Sequence, residues 1–277
     1  MKKLTKWAVL PAVLMIATAA LTACGNSDPG KAKLRVGMEC AYAPFNWTQL
    51  DDSNGGIKLS DGTYAGGYDV EIAKRVAESL DMELEIVKTE WDGLPPSLTS
   101  GKIDIIIAGM TDTLERRETI DFTGSYYTSD LVMVVKKGTP FAEATRLTDF
   151  SGAKITGQQS TLHYDVIDQI PDVVKEQAMK DFPTMIVALS SGKIDGYVSE
   201  RPGALSAVVS NPELTFIDFQ DGDGFDYTTG DVSIAIGIRK EDGELKDKID
   251  KALAEITEAD RGKIMEDAVK NQPLSVE

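Results

Sequence analysis

The chain has 277 residues, with 29 lysines and arginines against 45 aspartates and glutamates, a formal net charge of −16. So acidic a composition argues against nucleic acid and anionic lipid as partners and is compatible with a cationic ligand. Two cysteines and one histidine cannot build a disulfide framework or a zinc site of the usual kind, and neither a G-x-S-x-G elbow nor a Walker A sequence is present. Composition and motifs therefore point to no catalytic group, metal or cofactor.

The first residues read as an export signal. Lys2, Lys3 and Lys6 precede an apolar run from Trp7 to Ala20, which is short for a bilayer span of about 20 residues. Leu21-Thr22-Ala23-Cys24 then resembles the lipobox of bacterial lipoproteins. That resemblance implies a signal peptide over 1–23, acylation of Cys24 and a lipid-anchored, extracytoplasmic protein. Gly25 to Ala32 reads as a flexible tether, completing a lipidated segment at 24–32. Cys40 is left without a partner and is expected to be a small packed residue.

Leu34 to Met38 looks like a first strand, and the Gly-, Asp- and Ser-rich stretch from Asn46 to Ala65 reads as an exposed excursion. Asp69 opens a helical pattern with Ile72, Ala73, Val76, Ala77 and Leu80 on one stripe. A strand over Glu83–Lys88, a short helix over Pro95–Leu98 and a buried strand over Ile103–Ile107 follow. Further strands are expected at Leu131–Lys136, Lys154–Thr156, Leu214–Phe219 and Val232–Ile238. The last helices fall near Leu245–Ile256 and Arg261–Lys270. This alternation predicts an α/β protein with parallel βαβ units.

One internal echo suggests two similarly built lobes. Leu98-Thr-Ser-Gly-Lys-Ile-Asp104 recurs as Leu189-Ser-Ser-Gly-Lys-Ile-Asp195, each copy a helix end, a glycine stop and a strand start. Polar loops follow both strands, Ala108-Gly109-Met110-Thr111 and Ser199-Glu200-Arg201. Ligands of open α/β sheets sit beyond the carboxyl ends of strands, so these loops are the first candidates for a site. The first lobe is expected to comprise 33–129 and 233–277, the second 130–232, with Leu131–Lys136 and Val232–Ile238 as the two hinge crossings.

Arg116 is the leading partner for a ligand carboxylate, because a guanidinium can grip one with two parallel hydrogen bonds. Thr113 is placed to cap the helical turn that carries it. The residues alone leave open an exposed Arg116 paired with Glu115 or Asp112. Likewise, Ser160-Thr161 could be a simple cap for a helix starting near Leu162, Arg201 could neutralise Glu200, and Tyr42 and Trp91 could be core aromatics.

Several motifs in order carry a resemblance: Arg35-Val36-Gly37 through Tyr42-Ala43-Pro44-Phe45, Gly67-Tyr68-Asp69-Val70-Glu71, Trp91-Asp92-Gly93-Leu94, Gly101-Lys102-Ile103-Asp104, and Thr113-Leu114-Glu115-Arg116 followed by Asp121-Phe122. Together they resemble the bacterial extracellular solute-binding proteins of family 3, the polar and basic amino-acid binders of ABC transporters, over residues 34 to about 255. The resemblance implies a periplasmic-binding-protein-like fold, with two α/β lobes, a hinge and a cleft between them. It implies a monomer that binds a free L-amino acid and docks on an ABC permease.

By the same resemblance Arg116 clamps the ligand carboxylate, with backbone groups at Ser160-Thr161. Thr111 and the Gly109 carbonyl contact the amino acid, and Met110 lies in the same loop. Glu200 stands where the family usually has an aspartate for the α-ammonium, Tyr42 and Trp91 sandwich the ligand side chain, and Glu39 meets its distal end. Two aromatics and an acid favour lysine, arginine, ornithine or histidine; glutamine is the alternative. Some relatives on this fold are dehydratases, but no second polar catalytic group accompanies Glu39 or Glu200 in the motifs. Residues 259–265 depart from the family's usual C-terminal pattern.

Overall fold

The computed structural model describes residues 31–273. The expected leader and Cys24 lie outside these residues, as does the tether apart from Lys31 and Ala32. Strand β1 (Lys33–Met38) buries Leu34, Val36 and Met38 completely, as its alternation predicts.

The next stretch bears out an expectation only in part. Strands β2 (Ala41–Tyr42), β3 (Asn46–Gln49), β4 (Ile57–Lys58) and β5 (Tyr64–Gly66) form an antiparallel sheet in the order β2-β3-β5-β4. Residues 50–55, 58 and 60–62 are exposed, whereas Asn46, Trp47, Gln49, Leu59 and Ala65 are buried. Side-chain hydrogen bonds stand in for a large apolar core: Trp47 Nε1 donates to Gln49 Oε1 (2.8 Å), and Gln49 Nε2 donates to the carbonyls of Asp51 (2.9 Å) and Ser53 (2.6 Å).

Helix α1 (Tyr68–Ser79) then buries Ile72, Ala73, Val76 and Ala77 on the expected stripe. Its first residues are pinned by Asp69, whose buried carboxylate accepts from Asn46 Nδ2 (2.7 Å) and the Tyr126 hydroxyl (2.8 Å). Gly67 before it has φ +122°, and a Cβ there would lie 2.3 Å from the Phe45 carbonyl oxygen.

The rest of the chain keeps the expected elements in order and adds strands over 121–128 and 174–175 and a helix over 201–210 that were not expected: β6 (Glu83–Lys88), α2 (Leu94–Thr99), β7 (Ile105–Ile106), β8 (Asp121–Thr128), β9 (Leu131–Lys136) and β10 (Lys154–Thr156). After these come α3 (Leu162–Asp165), β11 (Val174–Lys175), α4 (Phe182–Ser190), β12 (Gly196–Glu200), α5 (Arg201–Ser210) and β13 (Leu214–Ile217). The chain finishes with β14 (Ser233–Ile238), α6 (Gly243–Ala254) and α7 (Glu258–Asn271). Although residues 259–265 depart from the resemblance, α7 is well started: the Thr257 hydroxyl accepts from Asp260 N (3.1 Å) while Asp260 accepts from Thr257 N (3.2 Å).

Two five-stranded sheets share one plan. In the first, β6-β1-β7-β14-β8, β1 runs parallel to β6 and β7, and β14 antiparallel to β7 and β8. In the second, β11-β10-β12-β9-β13, β10 runs parallel to β11 and β12, and β9 antiparallel to β12 and β13. The repeated heptapeptide enters the middle strand of each. Asp104 accepts from Arg35 N (2.9 Å) and its own N–H donates to the Arg35 carbonyl (2.8 Å); Asp195 does the same with Lys154, at 2.8 Å both ways. Gly101 and Gly192 both take φ +74°, the left-handed turn that ends each helix.

Neither strand expected to cross between lobes does so. Strand β9 lies wholly in the second sheet and β14 wholly in the first, so the crossings are residues 129–130 and 218–232. Both faces of β9 are covered: Val132 and Val134 lie in the cluster that holds Met185, Leu189 and Leu214 of the second lobe and runs on into the first, while Leu131, Met133 and Val135 lie in the second cluster. Just past α7, Gln272 Nε2 donates to the Ser206 carbonyl of α5 (3.2 Å), a further tie between the two parts.

Gly67→Ala is expected to destabilise the protein by about 1–3 kcal/mol, since a left-handed backbone and a backbone clash coincide there. A urea denaturation midpoint unchanged from wild type would contradict this account of the α1 start.

Candidate functional site

The loops at the carboxyl ends of β1, β7, β10 and β12 converge on one small cavity of about 10 Å³, room for about one water molecule. It is lined by Tyr42, Trp91, Gly109, Thr111, Arg116, Thr161 and Glu200 among the expected residues, and by Leu131, Gln158, Leu162, His163 and Val232 besides. Three expected residues lie off it. Met110 is buried in the core of the first sheet, its carbonyl accepting from Ala235 N (3.0 Å). Ser160 stands on an outer groove of about 740 Å³, and Glu39 on a neighbouring cavity of about 460 Å³.

Arg116 is carried on one 3₁₀ turn rather than an α-helix, and Thr113 Oγ1 accepts from its N–H (3.2 Å) as the capping expectation requires. Its Nη1 donates to the carbonyl and the hydroxyl of Thr111, both at 2.7 Å, and Nη2 donates to the Ser160 carbonyl (2.9 Å). The guanidinium carbon lies 5.3 Å from the Trp91 ring centre. Burial pushes its pKa down to about 10, which leaves it charged at neutral pH. The exposed reading of Arg116 fails: it is Arg117 that pairs with Asp112 (2.5 Å) and Asp121 (2.7 Å).

Glu200 ends β12, buried, with Oε2 accepting from the Tyr42 hydroxyl and lying 2.9 Å from His163 Nε2. Burial raises its pKa to about 8 and lowers that of His163 to about 3, the Arg116 charge adding to the latter. Arg201 does not neutralise Glu200. It turns away to bind Asp218 through both nitrogens and approaches Asp130 at 3.6 Å.

The aromatic sandwich is also rearranged. Tyr42 stacks on Phe182 of α4, ring centres 4.0 Å apart and 9° from parallel, while Trp91 covers Arg116. Gly109, at φ +62°, lets this ring approach, since a Cβ there would lie 3.2 Å from Tyr42.

Glu39 is held across the cleft by Gln158, whose Nε2 lies 3.2 Å from each carboxylate oxygen. Burial raises its pKa to about 7, against the lowering effect of that amide. Next to it Cys40 is buried and pushed to about 12, so it is a packed thiol rather than a nucleophile. Gln158, His163 and Phe182 escaped the sequence reading. The first two flank Ser160-Thr161 in sequence, a signal that could have included them.

These carboxyls dictate a pH response. Each has a folded pKa above its unfolded one, so the folded state holds more protons in between and stability falls as pH rises through that window. The window runs from about 4.5 to about 7 for Glu39 and about 8 for Glu200. Between pH 6.5 and 8 the imidazole, neutral when folded and half charged in the unfolded chain only at the lower end, opposes the trend weakly. The thermal midpoint of the ligand-free protein is therefore expected to fall from pH 6.5 to 8, and to fall less in Glu39→Gln. A midpoint rising with pH would show that these carboxyls are ionised in the folded protein.

A charged, aromatic-lined cavity where the strand ends of two like-built α/β halves meet defines a two-lobed solute-binding fold. The chain belongs to the bacterial extracellular solute-binding proteins, family 3, whose sequence profile matches residues 34–267. It is similar to the "Probable histidine-binding protein" of Campylobacter jejuni, 34% identical over 70% of this chain and 71% of that one. It is similar also to the arginine-binding extracellular protein ArtP of Bacillus subtilis, 29% identical over 91% and 92%. Among solved structures, it is similar to an amino acid ABC transporter substrate-binding protein from Streptococcus pneumoniae bound to L-arginine. There the TM-score is 0.76 at 28% identity, covering 86% of this chain and 94% of that one.

Proposed function

We propose that this protein captures a free basic L-amino acid between its two lobes and presents it to an ABC permease, without chemistry on the ligand. One observation carries the reading: among the described residues no side chain of opposite charge contacts the ionisable groups of the cleft. Arg116 donates to carbonyl and hydroxyl oxygens and lies over Trp91, and Glu200 and Glu39 meet a tyrosine, an imidazole and an amide. Arg116 is charged, and burial holds the two carboxyls partly or mostly protonated, so a ligand charge of opposite sign would give each group the partner it lacks.

In this reading the ligand carboxylate meets Arg116 and the turn at Ser160-Thr161. Its ammonium meets Glu200, Thr111 and the Gly109 carbonyl, and its side chain passes Tyr42 and Trp91 toward Glu39. A distal cation would replace the Gln158 amide and bring Glu39 back to its ionised form. Relatives named for histidine and arginine, and a similar solved structure bound to L-arginine, support the basic class. The lobes are 33–129 with 233–277, and 130–232, turning about the two crossing segments. The protein acts as a monomer, tethered outside the cell through acylated Cys24.

Glutamine is the second reading, favoured by the Glu39–Gln158 pair, which when protonated offers a neutral donor and acceptor to an amide.

Arg116→Ala is expected to weaken binding more than tenfold, as a charge-assisted contact carries more than about 1.4 kcal/mol. Calorimetric titration checks this, and an unchanged affinity removes Arg116 from the site. Titrating lysine, arginine, histidine and glutamine into ligand-stripped protein tests the class. A basic amino acid is expected to bind tightest and to lose at least about tenfold in Glu39→Gln, with glutamine little affected. Glutamine binding tightest would establish the second reading.

A further inference from the structure

Glu200 shares its buried corner with the chain's single histidine, which the binding scheme above does not use. His163 Nε2 lies 2.9 Å from Glu200 Oε2, and its Nδ1 is buried with no hydrogen-bond partner among the described residues. The groups facing this pair can be named element by element. From β2 comes the Tyr42 hydroxyl, a neutral donor to the same oxygen, and from α4 the apolar edge of Phe182, 5.8 Å from the imidazole centre. The Arg116 turn contributes a charge that acts on His163, a repulsive one. Arg201 points away to Asp218.

Among the described residues no cation other than the imidazole itself contacts the carboxylate and no anion other than Glu200 contacts the imidazole. In these surroundings the pair holds one shared proton and carries no net charge. Whether that proton sits on the Glu200 oxygen or on His163 Nε2, the count is the same. Burial, which raises the carboxyl and lowers the imidazole, puts it on Glu200.

An arriving α-ammonium changes the requirement. The ligand carboxylate balances Arg116, so the ammonium needs a full negative charge on Glu200. A second positive charge on His163 would face both the ammonium and Arg116. We propose that capture of the amino acid expels one proton from the Glu200–His163 pair into solvent, and that His163 is the positioning residue that sets this linkage. The inference rests on the assignment of Glu200 to the ligand ammonium. The balance is simple: the Glu200 carboxyl O–H breaks, its proton passes to a buffer base, and the carboxylate pairs with the ammonium. The neutral Nε2 of His163, relieved of the carboxyl proton, becomes a second acceptor for an ammonium N–H.

Calorimetric titration of arginine and lysine in two buffers of different ionisation enthalpy counts the protons. Because a distal cation would also displace a proton from Glu39, the count is read in Glu39→Gln, which is expected to release about one per ligand at pH 7 and fewer as pH rises through about 8. Affinity then falls about tenfold per pH unit below the midpoint of release. With His163→Gln added, whose amide can donate to the carboxylate but cannot take up its proton, the midpoint moves down by about a unit or more. The single imidazole resonance is expected to stay neutral with and without ligand between pH 6 and 8. Tight binding with no proton released, or a charged imidazole in the complex, overturns the linkage. A release curve left unmoved by adding His163→Gln removes His163 from it. No binding of any amino acid would defeat the underlying reading of the site, and this inference with it.

Discussion

Charge held out of water without a counter-ion is what the architecture of this protein is arranged around. Arg116 is solvated by oxygens of the protein itself, two from Thr111 and one from Ser160. Because Ser160 belongs to the second lobe and Thr111 to the first, the guanidinium completes its set of protein partners only when the halves are together. Glu200 likewise meets Tyr42, and Glu39 Gln158, across the cleft. Closure and electrostatics are one problem here, since each of the three groups takes one partner from the opposite lobe.

The frame that delivers these groups is built twice by the same device. In each sheet an aspartate at the entry to the middle strand exchanges hydrogen bonds with the backbone of the strand beside it, Asp104 with Arg35 and Asp195 with Lys154. That exchange fixes register, and register decides which residues emerge at the strand ends. From the first copy emerges the loop with Gly109 and Thr111, from the second Ser199 and Glu200. A one-residue slip would turn Glu200 to the opposite face of its strand.

This doubled frame was legible in the chain because helix stripes and glycine stops are local signals. Ile72, Val76 and Ala77 announce α1, and the two Ser-Gly-Lys-Ile-Asp runs announce matching strands. The small sheet over residues 41–66 was not legible, because strands of two to four residues show no alternation and glycine-rich runs commonly mark loops. Within the site, Arg116, Tyr42 and Glu200 were found through motif, yet their actual neighbours were not. That His163 meets Glu200, that Phe182 covers Tyr42 and that Glu39 sits in an adjoining compartment follow from the packing of elements far apart in sequence. Arg201 shows the converse: adjacency to Glu200 suggested a pair, but the start of α5 swings it toward Asp218.

In the proposed binding scheme the Ser160 carbonyl, the Tyr42 hydroxyl and the Gln158 amide act as internal surrogates, occupying the contacts that a captured molecule would take over. Admission is thus a substitution reaction among hydrogen bonds rather than the filling of a hole. A visitor lacking one pole strips a protein group of its surrogate and offers nothing back, leaving that group worse placed than before. Discrimination of this kind grows with the number of surrogates displaced, and it would hold even against molecules of the correct size and shape.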